Sequence, residues 1–426
     1  MRWKSGSRPG WKRGAVRPCS SSARTGETGG VKTAVQISDN ASRLGGGMFE
    51  SVRGMSAGLA MTNRWTTRMV AGRDRYIDQD AHLWQDRLRL PGTGVGDRYL
   101  PPVAMARLIG AEQPDILHLH GIWGPASMAA ALFCRRAPQV PVLISPRGML
   151  EPWAMEQHRA RKRVAWQLWM GGLIRRSVCL HALCQEEADA LRALVPAATI
   201  CTVPNGVTLP DAPGAEDLAA RRDGRRLLFI GRIHPKKGLK ELIQAWCRMP
   251  QLAADGWTLS IAGWDAGSGH EQELRDLAAE LGAGPAIRFL GPVYGDDKLQ
   301  HLRAASGFVL TSFSEGLPMA VLEAWSHALP VLMTDGCHLS EGFAAGAALR
   351  TEPDPAAIAA ALQDFCLDRD AAARAAMGAR GRDLVEQRFT WARVGAQMAE
   401  IYDWAADGAD WQAAPDTVAL PGAGIS

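Results

Sequence analysis

Short apolar runs alternate with amphipathic stretches from about residue 32 onward, and this alternation restricts the chain to one class of fold. The runs that read as strands lie at 31–38, 115–121, 140–146, 227–231, 258–263, 287–291, 307–312 and 330–334. Between them, apolar residues fall at helical spacing, as in Leu239, Leu242, Ile243 and Trp246. Strands that alternate with helices form parallel sheets covered on both faces, so the sequence predicts an α/β fold.

With 426 residues, the chain is too long for one ordinary hydrophobic core. Its length therefore predicts two domains of conventional size. Residues 210–226 are polar, contain Pro and Gly and show no strand pattern, which predicts a linker. We therefore predict one Rossmann-like domain over 32–209 and another over 227–389, with a ligand cleft at the carboxyl ends of their strands. The stretch 390–405 has the apolar spacing of a further helix, and a flexible tail is predicted for 406–426.

The formal net charge of +4 is concentrated at the amino terminus. Residues 1–32 carry eight Lys or Arg against one acid, Glu27, so the rest of the chain has a net charge of −3. Without a basic body, nucleic-acid binding has no compositional support. Residues 1–31 are rich in Ser, Gly, Arg and Pro and lack an apolar centre, which predicts a disordered basic leader. A plain tail, an over-extended translation start and a transit peptide all fit it.

Two further absences in the sequence limit the class of protein. No run of about 18 consecutive apolar residues occurs, so no membrane span is predicted. The cysteines form no Cys-x-x-Cys pair, which predicts free buried thiols in a reducing compartment and no structural zinc site. They stand at 19, 134, 179, 184, 201, 247, 337 and 366.

The strongest candidate site follows the predicted strand at 307–312. Glu315 and Glu323 stand eight residues apart, with Gly-Leu-Pro directly after the first. Proline suits the first turn of a helix, so a helix is predicted to begin there and to leave free amides at 316–319. Free N–H groups at the positive end of a helix dipole bind anions, and the two carboxylates could reach sugar hydroxyls beside a bound phosphate. The competing interpretation is that Glu315 caps the helix and Glu323 is a solvated surface residue.

The segment GRIHPKKG at 231–238 is the second candidate site. Arg232 and Lys237 flank a tight turn that enters the next helix. Cations at a helix start oppose the dipole preference, so this pair favours a bound diphosphate whose charge it offsets. Solvated surface charge is the alternative, and it is the interpretation that we adopt for Lys236 and Lys240.

Two weaker motifs belong to the first predicted domain. A glycine run that includes Gly46 and Gly47 would let the backbone approach a phosphate, although a simple strand-to-helix turn explains it better without other context. His118 and His120 lie two apart on one predicted strand and therefore share a face. His120, nearer the carboxyl end, is expected at the cleft, and His118 in the core. Two histidines without a third ligand do not predict a metal site.

These four motifs, Glu-x7-Glu, Gly-Arg-x4-Lys-Gly, the glycine loop and His-x-His-Gly, stand along one chain. Together they resemble the retaining glycosyltransferases of family GT4, over roughly residues 33–405. The resemblance implies the GT-B fold, in which two Rossmann-like domains face each other. The segment 145–167 resembles a subgroup associated with exopolysaccharide and lipopolysaccharide assembly. The segment 389–404 is similar to the helix that crosses back onto the first domain in this family.

The resemblance also implies a role for each matching residue. Arg232 and Lys237 match the pair that binds the donor diphosphate and stabilises the leaving nucleotide. Glu315 matches the carboxylate at the donor hexose, Glu323 the residue that binds the ribose hydroxyls, and His120 the cleft histidine near the reacting sugar. The remaining matches are Gly46, Gly47, Val293, Gly316, Leu317 and Met319 on the donor side and Arg147 on the acceptor side.

The implied activity is transfer of a hexose from a UDP- or GDP-sugar to a glycan or polyprenyl-linked acceptor, with retention at the anomeric carbon. The expected setting is cytoplasmic surface-polysaccharide biosynthesis in bacteria. No cofactor or metal is expected, because two fixed cations already face the diphosphate. Two alternatives remain: a non-catalytic sugar-nucleotide-binding or scaffold subunit, and a GT-B sugar-nucleotide epimerase. Neither needs to keep both charged motifs.

The segment 151–176 predicts peripheral contact with the inner face of the plasma membrane. It carries six Arg or Lys against two Glu, interleaved with Trp153, Trp166 and Trp169. Basic helices with Trp lie at anionic bilayer surfaces. The competing interpretation is a helix whose Trp side packs in the core and whose basic side is solvated.

Overall fold

A computed structural model of the protein describes residues 30–93, 101–151, 155 and 158–419. The predicted basic leader therefore lies almost wholly outside the described residues, as does Trp153. In chain order the strands are β1 (Lys32–Ser38), β2 (Trp65–Ala71), β3 (Leu88–Arg89), β4 (Ile116–His120), β5 (Val142–Ser145), β6 (Cys179–Ala182), β7 (Ile200–Thr202), β8 (Arg226–Ile230), β9 (Thr258–Ala262), β10 (Ile287–Gly291), β11 (Gly307–Leu310), β12 (Val331–Thr334), β13 (Ala348–Thr351) and β14 (Val418–Ala419).

Helices connect most of these strands. In chain order they are α1 (Gly47–Met61), α2 (Ile77–Asp80), α3 (Pro101–Ala111), α4 (Pro125–Arg136), α5 (Arg159–Ala165), α6 (Gly171–Arg176), α7 (Gln185–Leu194), α8 (Ala215–Gly224), α9 (Leu239–Cys247), α10 (Pro250–Ala254), α11 (His270–Glu280), α12 (Gly295–Ala304), α13 (Met319–Ser326), α14 (Ser340–Ala344), α15 (Pro355–Leu362), α16 (Ala371–Leu384) and α17 (Trp391–Ala406). No helix in the described ranges combines the length and apolar character needed to cross a bilayer.

The strands form two sheets, one in each domain. The first has the order β14-β7-β6-β5-β4-β1-β2-β3, and the second has the order β10-β9-β8-β11-β12-β13. All neighbouring strands within them are parallel except β14, which runs antiparallel to β7. The predicted α/β architecture with parallel sheets is confirmed. The eight predicted strands are all present, with ends that differ by at most two residues.

Each sheet has one point at which the strand order reverses, between β1 and β4 in the first sheet and between β8 and β11 in the second. At such a point the loops leave neighbouring strands in opposite directions and open a crevice at the carboxyl edge, where open α/β sheets bind ligands. The loops that follow β1, β4, β8 and β11 are therefore expected to line the ligand site.

Two segments predicted to lack regular structure are in part ordered. Helix α8 occupies much of the predicted linker, because Arg221 anchors it by donating to the carbonyls of Arg303 and His327. Strand β14 lies in the predicted flexible tail, where backbone pairing with β7 holds it. Both elements depend on contacts with distant residues, which a local polar pattern does not reveal.

Helix α17 leaves the C-terminal domain and packs on α1 of the N-terminal domain, so the predicted crossover helix is confirmed. Its buried residues include Val394, Met398 and Tyr402, which face the N-terminal sheet. The two helices meet through glycines: a Cβ on Gly58 would lie 2.2 Å from the Trp391 carbonyl oxygen, and one on Gly395 would lie 2.2 Å from the Gly58 carbonyl carbon. Only glycine permits backbones this close.

Replacing Gly58 or Gly395 with alanine should therefore destabilise the protein. The added methyl group would meet backbone that cannot move aside, and overpacking of this kind costs about 1–3 kcal/mol. We expect the Tm in thermal unfolding to fall for both variants. Gly172→Ala is the matched control, because Gly172 lies on α6 with nothing within 4 Å of an added Cβ. Equal Tm values for Gly58→Ala and Gly172→Ala would contradict the close helix contact.

Candidate active site

The turn between β8 and α9 brings Lys237 to the carboxyl end of β11. Gly238, directly after it, has a φ of 66°, and a Cβ there would lie 2.1 Å from the Thr311 carbonyl oxygen. Glycine is therefore required for this turn to pack against the end of the neighbouring strand. Arg232 lies at the other end of the same turn, is exposed, and makes no ion pair within the described part of the chain.

Lys237 forms a largely buried ion pair with Glu315. Their Nζ and Oε1 atoms are 2.5 Å apart, and the two side chains are 13% and 8% exposed. Ser312 also donates to Oε1 of Glu315, at 2.5 Å. Burial alone would raise the pKa of Glu315, but the ammonium groups of Lys237 and Lys236 and the two hydrogen bonds outweigh it and lower the pKa. Glu315 is therefore held as a carboxylate.

Lys236 differs from the solvated surface charge predicted for it. Its side chain is half-buried, and burial lowers the pKa of its ammonium group while the nearby Glu315 carboxylate opposes that change. The site therefore holds a second lysine beside the Lys237–Glu315 pair. The sequence predicts a solvated Lys236 because the local pattern does not show which way the side chain of a turn residue points.

Helix α13 begins at Met319 with Pro318 as its N-cap, one position later than the first-turn proline that the sequence predicts. Within the described residues, the amides of Gly316, Leu317 and Met319 donate to no acceptor. Their N–H groups and the helix dipole make this loop an anion-binding arrangement. The side chain of Glu315 does not cap the helix, so the competing interpretation of this carboxylate is wrong.

The loop before α13 is also attached to the N-terminal domain. Asn205 donates from Nδ2 to the Leu317 carbonyl oxygen at 3.1 Å, and Cys184 donates from Sγ to the Gly316 carbonyl oxygen at 3.5 Å. One residue before Glu315, Ser314 donates to Oε2 of Glu151 at 2.7 Å. These contacts orient the carbonyls of the loop toward the first domain.

Glu323 lies one turn into α13 and forms an ion pair with Lys298 of α12, with Nζ and Oε1 2.7 Å apart. Burial opposes the charge on Lys298, but the Glu323 carboxylate outweighs it and raises the pKa of the lysine. Both partners are mostly buried, with side chains 18% and 23% exposed, so Glu323 is not the solvated residue of the competing interpretation.

The glycine turn of the first domain lies opposite the start of α13. Gly46 has a φ of 54° and is the N-cap of α1, and both Gly46 and Gly47 are exposed. A Cβ on Gly47 would lie 4.0 Å from Cγ of Met319. The amino-terminal ends of two helices, one from each domain, thus approach each other across the cleft. Val293, after β10, is buried at the same edge of the second sheet.

His118 belongs to a buried chain of hydrogen bonds that runs from α17 into the first sheet. Nε2 of His181 lies 2.8 Å from the Val203 carbonyl oxygen. A carbonyl oxygen only accepts hydrogen bonds, so Nε2 carries the proton and Nδ1 of His181 accepts from the Ser145 hydroxyl at 2.6 Å. Ser145 in turn accepts from Nε2 of His118, whose Nδ1 accepts from the Tyr402 hydroxyl at 2.7 Å. His118 is thus a core residue with both ring nitrogens bonded, as the sequence predicts.

His120, the last residue of β4, is fully buried beside His118, with ring centroids 4.0 Å apart. Arg147, two residues after β5, reaches it: an Nη atom lies 3.2 Å from Nδ1 of His120. The other Nη atom donates to Ser51 and Asn205, at 2.9 and 3.0 Å. Both Nη atoms thus contact residues of the N-terminal domain, and the acceptor-side role of Arg147 stays a prediction.

No three His, Cys, Asp or Glu side chains of the described residues converge so as to hold a metal ion. The chain contains Asp-x-Asp triplets at 78–80 and 368–370. Asp80 is engaged by Arg43, and Asp368 accepts from Gln363. Neither triplet belongs to the cleft described above.

Sequence reasoning missed four residues that complete the site: Ser312, Lys298, Asn205 and Glu151. Ser312 and Asn205 follow the ends of β11 and β7, and that position at the carboxyl edge was a usable signal. Lys298 and Glu151 had no such signal, because a helix residue and a loop residue meet Glu323 and Ser314 only through the tertiary fold.

The fold and site define a two-domain protein with its cleft between facing parallel sheets, and family comparisons agree with this class. Residues 215–383 match the family described as Glycosyl transferases group 1, and residues 46–206 match the Glycosyl transferase 4-like domain. One match falls in each domain, and together they span most of the chain. The chain belongs to the GT4 family of glycosyltransferases, which has the GT-B fold.

Two curated relatives illustrate the similarity. The chain is 32% identical over 254 residues to a D-inositol 3-phosphate glycosyltransferase of Geodermatophilus obscurus, a match that covers 55% of this chain and 53% of that protein. It is 27% identical over 307 residues to the GDP-mannose:cellobiosyl-diphosphopolyprenol alpha-mannosyltransferase of Xanthomonas campestris, covering 68% and 75%. The chain thus spans about half the length of the first of these relatives.

Solved structures share the fold over most of both chains. The Anabaena HepE protein in complex with UDP and glucose superposes with a TM-score of 0.69 at 17% identity, covering 87% of this chain and 99% of that one. Sucrose-phosphate synthase of Thermosynechococcus elongatus has a TM-score of 0.72 at 20% identity, covering 87% and 98%. At these identities the likeness establishes the architecture.

The buried His181 should make the protein less stable in acid. Burial, reinforced by the nearby Arg147 cation, lowers the pKa of His181 to about 3. The unfolded chain protonates this ring below about pH 6.5, so stability falls as the pH drops from about 6.5 toward 3. When the pH falls from 7 to 5, this effect lowers the free energy of unfolding by about 2 kcal/mol.

Urea unfolding of wild type and His181→Asn at pH 7 and pH 5 measures this effect. The variant should lose about 2 kcal/mol less than wild type between the two pH values. His82→Asn removes an exposed imidazole and should keep the wild-type pH dependence. Identical losses in wild type and His181→Asn would show that the ring is not held neutral.

Proposed function

We propose that this protein transfers a hexose from a nucleotide sugar to a glycan or lipid-linked acceptor, with retention at the anomeric carbon. The observation that carries the proposal is the convergence of Lys237, Glu315 and the free amides of the loop before α13 at one crevice. Family membership supports the same reaction class.

The cations and amides suit a departing nucleotide diphosphate. When the bond to the anomeric carbon breaks, negative charge builds up on the leaving phosphate. Fixed donors and cations that face this charge stabilise the transition state without having to reorganise. Arg232 and Lys237 supply the cations, and Gly316, Leu317 and Met319 supply the amides, with Gly46 and Gly47 approaching from the other domain.

The carboxylates suit the sugar and the ribose. Glu315 is ionised and accepts hydrogen bonds, so it can orient a hexose hydroxyl beside the phosphate. Glu323, one turn further along α13, is assigned the ribose hydroxyls, and Val293 the base through its backbone. His120 and Glu315 hold the donor sugar against the acceptor, which converts the reaction between two bound substrates into an oriented one. No metal is invoked for these steps.

Relatives guide the choice of substrates. One relative is named for GDP-mannose and a cellobiosyl-diphosphopolyprenol acceptor, and solved structures with this fold bind UDP and UDP-glucose. We therefore assign to this chain a UDP- or GDP-linked hexose and a polyprenyl-linked glycan acceptor, in cytoplasmic assembly of bacterial surface polysaccharide.

A screen of UDP- and GDP-sugars tests the proposal. Thermal shift reports binding, and release of free nucleotide diphosphate on addition of a lipid-linked glycan extract reports transfer. A rise in Tm with one donor, followed by acceptor-dependent release, is the expected result. Binding without release identifies a non-catalytic subunit and overturns the transferase proposal, as does the absence of any binding.

Lys237→Ala and Glu315→Ala should each reduce turnover by at least about 100-fold, the usual scale for the loss of one preorganised charge contact. Lys240→Ala is the control, because Lys240 lies exposed on α9 and should be replaceable without loss. Thermal melting must show that each variant is folded, since Lys237→Ala leaves a buried carboxylate unpaired. Full turnover in a folded Lys237→Ala or Glu315→Ala variant would refute the site assignment.

We also infer peripheral contact with an anionic membrane through the segment from α5 to α6. Val164 and Leu168, one helical turn apart, are 52% and 63% exposed, and the same segment carries exposed basic residues such as Arg159 and Arg175. Trp169 instead packs inward and donates to Ser127. Exposed apolar side chains within a basic helical surface suit the headgroup region of an anionic bilayer.

Co-sedimentation with phosphatidylglycerol vesicles tests this contact. Wild type should bind them and should not bind neutral phosphatidylcholine vesicles. The double variant Val164→Ser/Leu168→Ser should bind about tenfold more weakly, because it loses two apolar side chains from the bilayer. Leu281→Ser removes an exposed leucine from the other domain and should bind like wild type. No binding of wild type would end the membrane proposal.

A further inference from the structure

His120 and Arg147 occupy neighbouring positions at the carboxyl edge of the first sheet. His120 ends β4, Arg147 follows β5, and the two strands pair directly, with His120 opposite Ser145. An Nη atom of Arg147 lies 3.2 Å from Nδ1 of His120. A guanidinium group can only donate hydrogen bonds, so Nδ1 of His120 must accept. The ring proton of a neutral His120 is therefore on Nε2.

The ring is neutral because it is fully buried beside a cation. Burial and the Arg147 charge both hold the pKa of His120 well below its usual range. His118, whose ring centroid lies 4.0 Å away, does not compete for the Nδ1 position, because both of its own nitrogens are bonded elsewhere. The neutral ring of His120 carries a single N–H proton, and Arg147 determines which nitrogen bears it.

Nε2 of His120 is buried and has no hydrogen-bond partner among the described residues. A buried N–H without an acceptor costs free energy, and such groups in native proteins are nearly always satisfied. His120 lies at the end of β4, beside the point where the strand order of the sheet reverses. An oxygen of a ligand bound in that crevice would satisfy the N–H.

Arg147 is itself held in place from several sides. It adopts a φ of 58°, unusual for a residue with a side chain, and its other Nη atom donates to Ser51 and Asn205. Asn205 in turn donates to the Leu317 carbonyl in the loop before α13. The guanidinium therefore orients His120 from a position that is tied to both domains.

We infer that Arg147 is a positioning residue that fixes His120 in its Nε2-protonated form, so that His120 donates a hydrogen bond to an oxygen of the bound nucleotide sugar. This inference rests on the proposed function for the identity of the ligand. It assigns Arg147 a role that differs from the acceptor contact implied by the family resemblance. It also excludes His120 as a base in the reaction, because its only free nitrogen already carries a proton.

The protonation state can be read directly in ligand-free protein. Full-length protein labelled with 15N-histidine should give His120 a pyrrole-type Nε2 and a pyridine-type Nδ1, with the signal assigned by its loss in His120→Gln. Arg147→Met should give an averaged pair of shifts, because both tautomers become populated. Arg147→Lys keeps a donor and should retain the wild-type pattern. Ser51→Ala, which removes another partner of Arg147, should leave the tautomer unchanged.

Addition of UDP-glucose or GDP-mannose, whichever binds by thermal shift, should move the Nε2–H resonance of His120. In turnover, Arg147→Met should lower kcat/KM by about tenfold, the scale of one hydrogen bond, and Arg147→Lys should recover most of it. A proton on Nδ1 in wild type, an unchanged spectrum in Arg147→Met, or a ligand that binds without moving Nε2–H would each overturn the inference. The ligand-free spectra do not depend on turnover, so failure of this inference can be distinguished from failure of the proposed function.

Discussion

The two parallel sheets form a shared cleft only if their carboxyl edges are kept facing each other. Helix α17 fixes this arrangement. It begins in the C-terminal domain and buries its apolar side in the N-terminal one, meeting α1 at a glycine-to-glycine contact. The same α1 starts at the glycine turn that faces α13. The position of Gly47 opposite Met319, and hence the geometry of the cleft, follows from how α17 is seated.

The carboxylates of the cleft are paired with lysines, whereas Arg232 forms no ion pair among the described residues. In the C-terminal domain each of Glu315 and Glu323 has a lysine partner, so these carboxylates are neutralised before any substrate arrives. Arg232 has no such partner among the described residues. Arg147 donates hydrogen bonds to neutral groups, and the buried Glu187 carboxylate favours its charge. A doubly charged diphosphate that enters the cleft meets the exposed Arg232 and the free amides of the loop before α13, which favours anion binding.

Sequence alone predicted the alternation of strands and helices, because buried parallel strands are nearly continuous apolar runs. It missed β2, β3, β6, β7, β13 and β14. Thr67 and Arg68 interrupt the apolar run of β2, and β3 and β14 are only two residues long. Arg232, Lys237 and Glu315 could be named because they lie in the connections that follow β8 and β11. Their contacts could not be predicted, because Lys298 meets Glu323, and Arg147 meets His120, only across distances along the chain that the local pattern does not encode.

The path of the chain sets an order for its assembly. The N-terminal domain is made first during synthesis, and domains generally fold as they emerge. Its core nevertheless includes Tyr402 and other residues of α17, and its outermost strand is β14. Trp65 and Cys201 therefore remain uncovered until more than 400 residues have been translated. The domain that starts first is completed last, so its apolar surface stays incomplete throughout synthesis of the second domain.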